Sequence, residues 1–365
     1  MSTIAVNSIT PATGSTVSID SFVPAGQFGW RNKIINGDMN IAQRGTSFAA
    51  IANQAYSLDR WIYGNTSAAV ATVTQQADVP SSNEFQYSYR YAVTTADTSI
   101  AASDAAYVVQ FVEGYNARDL IGRTFTLSFW VRSSKTGTHC VKFGNSSADR
   151  SYVTEYTINA ANTWEQKSIT VSGGLITAGT WNWTNGIGLA VFWTLAAGST
   201  FQTTAGAWQT GNFLATANQV SCLDTVGNIF AITGVQLEVG SVATPFEHRP
   251  YGTELALCQR YYFRTSDGYP SGSAYSPSAT AVNAVLSFPV TMRAAPSALE
   301  QSGTATDYTV LNGAGSVVTC SAVPTFLAGA LNSSRIQLTV ASGLTAGQGS
   351  SVRLVGGYFG WSAEL

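Results

Sequence analysis

Thr124-Phe-Thr-Leu-Ser-Phe-Trp-Val-Arg132 is the stretch on which the fold turns. Phe125, Leu127, Phe129 and Val131 alternate with Thr124, Thr126, Ser128 and Trp130. Successive strand residues point to opposite faces, so four apolar side chains line one side of a sheet. That side is core; Trp130 stands on the other and needs a separate explanation.

Weaker runs of the same kind occur at residues 69–75, 87–93, 106–113, 140–143, 151–158, 164–171, 187–193 and 229–239. Gly, Asn, Asp and Ser bound them, and glycine-rich links at 172–174 and 185–188 tolerate the positive φ of tight turns. This many short strands over residues 32–250 predicts a jelly-roll β-sandwich, and the lack of βαβ alternation argues against a parallel sheet. Strand patterning resumes at 281–290, 306–311, 316–320, 335–340 and 351–359. It predicts a second, smaller β-sandwich over residues 265–365 in an all-β chain.

Residues 252–262 break the pattern. Thr253 suits an N-cap, Glu254 complements a helix N-terminus, Arg260 lies in the last turn, and Leu255, Cys258 and Tyr262 share one face. The expectation is a short amphipathic helix of about three turns, within a hinge over residues 251–264. Its apolar stripe has two uses, meeting copies of itself around an oligomer axis or packing the two sandwiches together. Residues 1–31 hold too little apolar material for a core and read as an extended arm that orders against a partner.

A chain of 365 residues is more than one ordinary core supports. Only 10% of residues are charged, against a soluble average of about 25%, so the polar surface must come from Ser, Thr, Asn, Gln and Gly. A net charge of -2 without any Lys/Arg-rich stretch removes the electrostatic term of nucleic-acid binding. Cys140, Cys222, Cys258 and Cys320 are far apart and form no CxxC pair, which reads as reduced, buried thiols. No basic region precedes an apolar run near residue 1, and no run approaches about 18 apolar residues. Neither export by a standard signal nor membrane insertion is expected.

Catalysis is not expected either. The chain has only His139 and His248, and His139 and Cys140 are strand neighbours that point apart, which does not make a dyad. The G-x-S-x-G, HExxH, P-loop and strand-linked G-x-G-x-x-G signatures are absent. Asp104, Glu113, Asp119, Asp149 and Glu155 cannot be matched into a glycosidase pair from sequence and read more simply as solvated surface acids. Binding chemistry is better marked. In Thr180-Trp-Asn-Trp-Thr-Asn185, Trp181 and Trp183 share one face if the stretch is extended, forming either a stacking platform for sugar rings or a plug at the sandwich edge. Tyr269 and Tyr275, among Ser, Gly and Pro, form a second candidate, either a contact loop or an ordered linker.

Six segments carry a resemblance: residues 31–45 (RNKIINGDMNIAQRG), 56–61 (YSLDRW), 232–240 (ITGVQLEVG), 243–250 (ATPFEHRP), 254–262 (ELALCQRYY) and 288–296 (FPVTMRAAP). With the arm motif VNSITPATGSTV at 6–17, in the same order, they resemble phage tail fibre and tail receptor-binding proteins. The resemblance implies a virion structural protein of the tail, made in the host cytoplasm and commonly a homotrimer. It would dock on other tail proteins through the N-terminal arm and attach to a host-surface glycan or receptor. The alternatives are an accessory decoration protein of tail or capsid, and a polysaccharide-degrading tail enzyme. Depolymerising tailspikes usually carry a β-helix, whose repeats this sequence lacks.

Residues 32–250 also resemble a carbohydrate-binding-module jelly roll, through Asn36-Gly-Asp-Met and Gly234-Val-Gln-Leu-Glu. Many such modules hold a structural calcium, for which Asp38 and Glu238 would be the ligands here. Thr233-Gly234 stands where those modules carry an acidic pair, and calcium needs several oxygen ligands. No metal or cofactor is therefore expected.

Overall fold

The computed structural model describes residues 29–81, 84–266, 268 and 272–365. The expected arm lies outside them as far as residue 28, and Tyr269 does too.

The first unit is a jelly roll of two antiparallel sheets. One has six strands in the order Ser47–Phe48, Val70–Gln76, Ser88–Thr95, Ile229–Val239, Phe125–Ser133, Glu165–Val171. The other has seven, in the order Trp208–Thr210, Arg150–Ile158, Gly137–Gly144, Ile187–Ala197, Ala105–Glu113, Ile62–Asn65, Ala55–Tyr56. Phe125, Leu127, Phe129 and Val131 are fully buried between the sheets, as the alternation requires. Phe129 meets the buried Trp193 edge to face at 5.7 Å, and truncating such a ring to Ala typically costs about 3–5 kcal/mol. Trp130 is half-buried on the outer face, opposite Thr233 and Gln166.

The chain entering the unit closes on the strand leaving it. Lys33 donates its N–H to the Leu237 carbonyl (2.8 Å), and Val235 donates to Gly37 (2.9 Å). Asn32 brackets the same strand, donating to the Val235 carbonyl and accepting from the Leu237 N–H at 3.0 Å each. Gly37 is required for this approach, since a Cβ there would lie 2.2 Å from the Val235 oxygen.

The second unit is smaller, and its larger sheet closes edge to edge on itself. Gly272–Tyr275, Ala281–Ser287, Ser333–Val340, Val317–Gly329, Tyr308–Leu311 and Gly349–Leu354 form a closed barrel, with a separate three-stranded sheet of Tyr262–Thr265, Phe359–Ser362 and Glu300–Gln301. The single strand expected over 351–359 is two, because the chain leaves the barrel after Leu354 and Phe359 begins a strand of the other sheet. Pro324, which cannot donate to a ladder, falls where the long strand's register slips. Phe263 and Trp361 stack at 5.8 Å in the core between the layers.

The helix at the join is Tyr251–Gln259. Pro250, not Thr253, takes the N-cap position; its carbonyl accepts from the N–H groups of Thr253 and Glu254, which corrects the expected start. The expected end at Tyr262 is corrected as well, because Tyr262 pairs with Ser362 as a strand residue. Cys258 and Tyr262 are buried within the single chain and cannot meet another copy around an axis. Leu255 is half-buried, and it packs with Cys258 and Tyr261 against Ile35 and Ile41 of the first unit. The stripe thus serves the join.

Buried charge surrounds this apolar patch. Glu254 accepts from the Asn36 N–H and, at 3.1 Å, from Arg249, which also reaches the Asn32 carbonyl. Burial raises the Glu254 carboxyl above its ordinary range while Arg249 opposes that rise. Glu113 takes two hydrogen bonds from Arg260 (3.0 and 2.7 Å) and one from the Tyr261 hydroxyl (2.6 Å). Arg60, 1% exposed, pairs with Glu364, donates to the Phe111 carbonyl and lies 3.6 Å from the Tyr261 ring centroid. Burial opposes the Arg60 charge, and Glu364 together with Tyr261, Tyr56 and Cys258 more than offsets it.

Candidate functional site

On strand Gly137–Gly144, alternation turns Val141 and Phe143 into the core and Cys140 and Lys142 outward. His139 is also inside, stacked on Tyr156 at 5.6 Å, so His139 and Cys140 do point apart. The outward face is not left bare, because residues 198–223 fold back across it. Thr194 donates its hydroxyl proton to the Leu214 carbonyl at 2.6 Å, and the Cys140 N–H donates to Gln219 Oε1 at 2.7 Å.

Between the sheet and this covering segment lies a groove of about 240 Å³. Tyr107, Phe111 and Phe192 form its sheet side, and Phe201, Asn212 and Leu214 its other wall. Tyr107 and Phe192 meet edge to face at 4.9 Å, and the Tyr107 hydroxyl accepts from Gln54 at 2.7 Å. Asn145 and Ser146 also line the groove.

Lys142 lines it too, yet is only 1% exposed. Its Nζ donates to Asn212 Oδ1 at 2.5 Å and sits 4.3 Å from the centroid of Phe192, its partner in register. Gly144 gives it room, since a Cβ there would come within 2.6 Å of Lys142 Cε. None of the ion pairs among the described residues includes Lys142. Burial pushes its ammonium pKa down to about 7.

The tryptophan loop adjoins this groove. Asn145 Nδ2 and Ser146 Oγ both donate to the Thr180 carbonyl, at 2.9 and 3.0 Å. Trp181 and Trp183 are half-buried and stack on each other, 5.0 Å apart and 8° from parallel, with Trp181 edge-on to Trp208 at 5.7 Å. Each ring covers a face of the other, so the pair fills the sandwich edge and does not offer two open platforms. Tyr275 is exposed on the barrel of the second unit, where its hydroxyl accepts from Asn283 at 3.4 Å. The structure does not bring it into the groove.

Of the candidate acids, Asp104 is half-buried and engages Ala101 and Gly198 through its backbone, while the others have side-chain partners. Asp119 pairs with Lys33 at 2.7 Å, Glu113 belongs to the join, and Glu155 accepts from Thr216 and Asn218. Asp149 accepts from Asn145, which holds its carboxyl below the usual range, and from the Thr180 N–H. Glu238 accepts from Gln236 and Thr244 and faces Arg31 at 3.7 Å, while Asp38 accepts from Asn40 at 2.6 Å. Among the described residues, no group of three or more His, Cys, Asp and Glu side chains is arranged to hold a metal. All four cysteines are free and buried.

No protein-family model matches the chain, and no curated protein matches it. Among solved structures, it is similar to the enzymatically active domain of bacteriophage CBA120 tailspike protein 4, with a TM-score of 0.30 and 20% identity over 53% of this chain. The chain spans 21% of that tailspike domain's length. It is also similar to TmCBM61 in complex with β-1,4-galactotriose (TM-score 0.28, 14% identity, 57% of this chain and 99% of that one). A third likeness is to the family 11 carbohydrate-binding module of cellulase Lic26A-Cel5E of Clostridium thermocellum (0.30, 10%, 56% and 98%). Likenesses this weak assign neither family nor ligand.

Proposed function

We propose that the chain is a phage virion structural protein, a tail fibre or receptor-binding protein, that attaches to the host surface by holding a glycan in the groove over the seven-stranded sheet. The observation that carries the reading is the groove itself. Sugars have apolar ring faces and hydroxyl rims, and here the aromatic rings of Tyr107 and Phe192 stand beside the hydrogen-bonding groups of Lys142, Ser146 and Asn212. Attachment by binding suits the site better than hydrolysis, because the described residues that line the groove include no Asp or Glu to serve as the carboxylate pair. The tail assignment rests on the motif resemblance, as do a homotrimeric state and docking through the N-terminal arm.

Glycan-array binding and competition of host adsorption by the purified full chain test the reading. Phe192→Ala, placed on the groove and outside the main core, should weaken binding by about tenfold or more while leaving the chain folded. Undiminished binding by the folded variant would remove the groove as the site. Deleting the protein from particles separates a receptor binder, whose loss abolishes adsorption, from a decoration protein.

A further inference from the structure

Lys142 is the one groove residue whose chemistry a neutral sugar does not explain. An ammonium has three N–H donors; one goes to Asn212 Oδ1, and the Phe192 ring supplies further attraction at 4.3 Å. No carboxylate pairs with it, although it is 1% exposed and lines an apolar-walled groove. A buried cation without a counter-ion is costly to fold around, since buried charges are ordinarily paired.

We infer that Lys142 is the anchor for a carboxylate-bearing sugar, so that the groove selects an acidic glycan: the carboxylate takes the free Nζ donors, and the sugar ring lies against Tyr107 and Phe192. The inference rests on the glycan-binding reading of the same groove and names its ligand class. Three features fit. The missing counter-ion would arrive with the ligand, and a low-dielectric site strengthens the pair it then forms. The Ser146 hydroxyl oxygen at the groove lining, which can still accept, and the exposed Asn212 amide beside Nζ offer hydrogen-bonding groups for hydroxyls, whereas Asn145 is already used by Asp149, Arg150 and Thr180. The volume of about 240 Å³ lies below the ~300 Å³ at which sites for drug-sized ligands begin, which suits a short stretch of sugar.

The test compares trigalacturonate with the same trisaccharide after carboxyl reduction, by calorimetry on the full-length wild-type chain and on Lys142→Met. Methionine keeps the unbranched apolar stem, and removal of an uncompensated buried charge favours folding. Far-ultraviolet dichroism and a melting curve check that the variant is intact. A charged hydrogen bond is worth about 1.5–3 kcal/mol, or roughly 10- to 100-fold in affinity. The acidic ligand should therefore bind wild type that much more tightly than the reduced one, and Lys142→Met should erase the difference. Equal affinity for both ligands, or a preference that survives in Lys142→Met, overturns the acidic assignment and leaves glycan binding standing. Failure of either ligand, and of every glycan on an array, overturns both.

Discussion

Two regions of this chain bury positive charge, and they do so in opposite ways. At the join, Arg60, Arg249 and Arg260 each meet a carboxylate, Glu364, Glu254 and Glu113 respectively. In the groove, Lys142 meets an amide and an aromatic ring but no acid. Paired buried charges fix one arrangement of two bodies, whereas an unpaired one is a standing cost that a ligand can relieve. The join is therefore read as architecture and the groove as a site.

The sharpest way to break that contrast is to unpair the join. Glu364→Gln should destabilise the chain by about 3–5 kcal/mol, because it leaves Arg60 buried without its counter-charge; denaturant unfolding would show it, and a loss below about 1 kcal/mol would mean the pair is dispensable. The groove should respond with the opposite sign. Lys142→Met should stabilise the ligand-free chain by roughly 2–4 kcal/mol near neutral pH.

The pH dependence sharpens this. The Lys142 pKa of about 7 in the folded chain lies below that of an exposed lysine, about 10.4. Between those values the unfolded chain binds the extra proton, so wild-type stability gains on the variant as pH rises. The advantage of Lys142→Met should be full below pH 7 and fade toward pH 10; a constant advantage would show that packing, not charge, is responsible. Next, Glu113→Gln should cost about 1–3 kcal/mol, since Arg260 is only partly buried and keeps access to water. Smallest of all, Tyr275→Ala should change stability by no more than about 0.5 kcal/mol, and glycan binding not at all.

Much of the fold was legible because strand alternation is a local property. The run at 124–132 became a core strand, and the run at 229–239 is the strand Ile229–Val239. The helix bounds were less so, since Thr253 is a good cap in isolation and only the turn at Pro250 demotes it. The groove was hidden for a different reason. Tyr107, Phe111, Phe192 and Lys142 stand on the outward side of strands whose inward side already supplies the core, and whether that side is wet or covered depends on where residues 198–223 fold. The available signal was aromatic residues at both phases of one strand, as with Phe192 and Trp193. The tryptophans of 180–185 drew attention by composition, yet their rings face each other.

The join has one more consequence, which concerns exchangeability. The chain enters the second unit through Tyr262–Thr265 and leaves it through Phe359–Ser362, and these two strands are hydrogen-bonded partners. Just beyond them, Glu364 and Leu365 return to Arg44, Arg60 and Tyr56 of the first unit. The described residues between 266 and 358 are thus held through a stem whose two ends are fixed side by side, braced by Glu300–Gln301 as a third strand and by Arg293, which donates to the Arg260 and Asn185 carbonyls at 2.7 Å each. Entry and exit at one stem make the second unit a cassette with the jelly roll as its socket, and Arg293 is the latch that a different insert would have to replace.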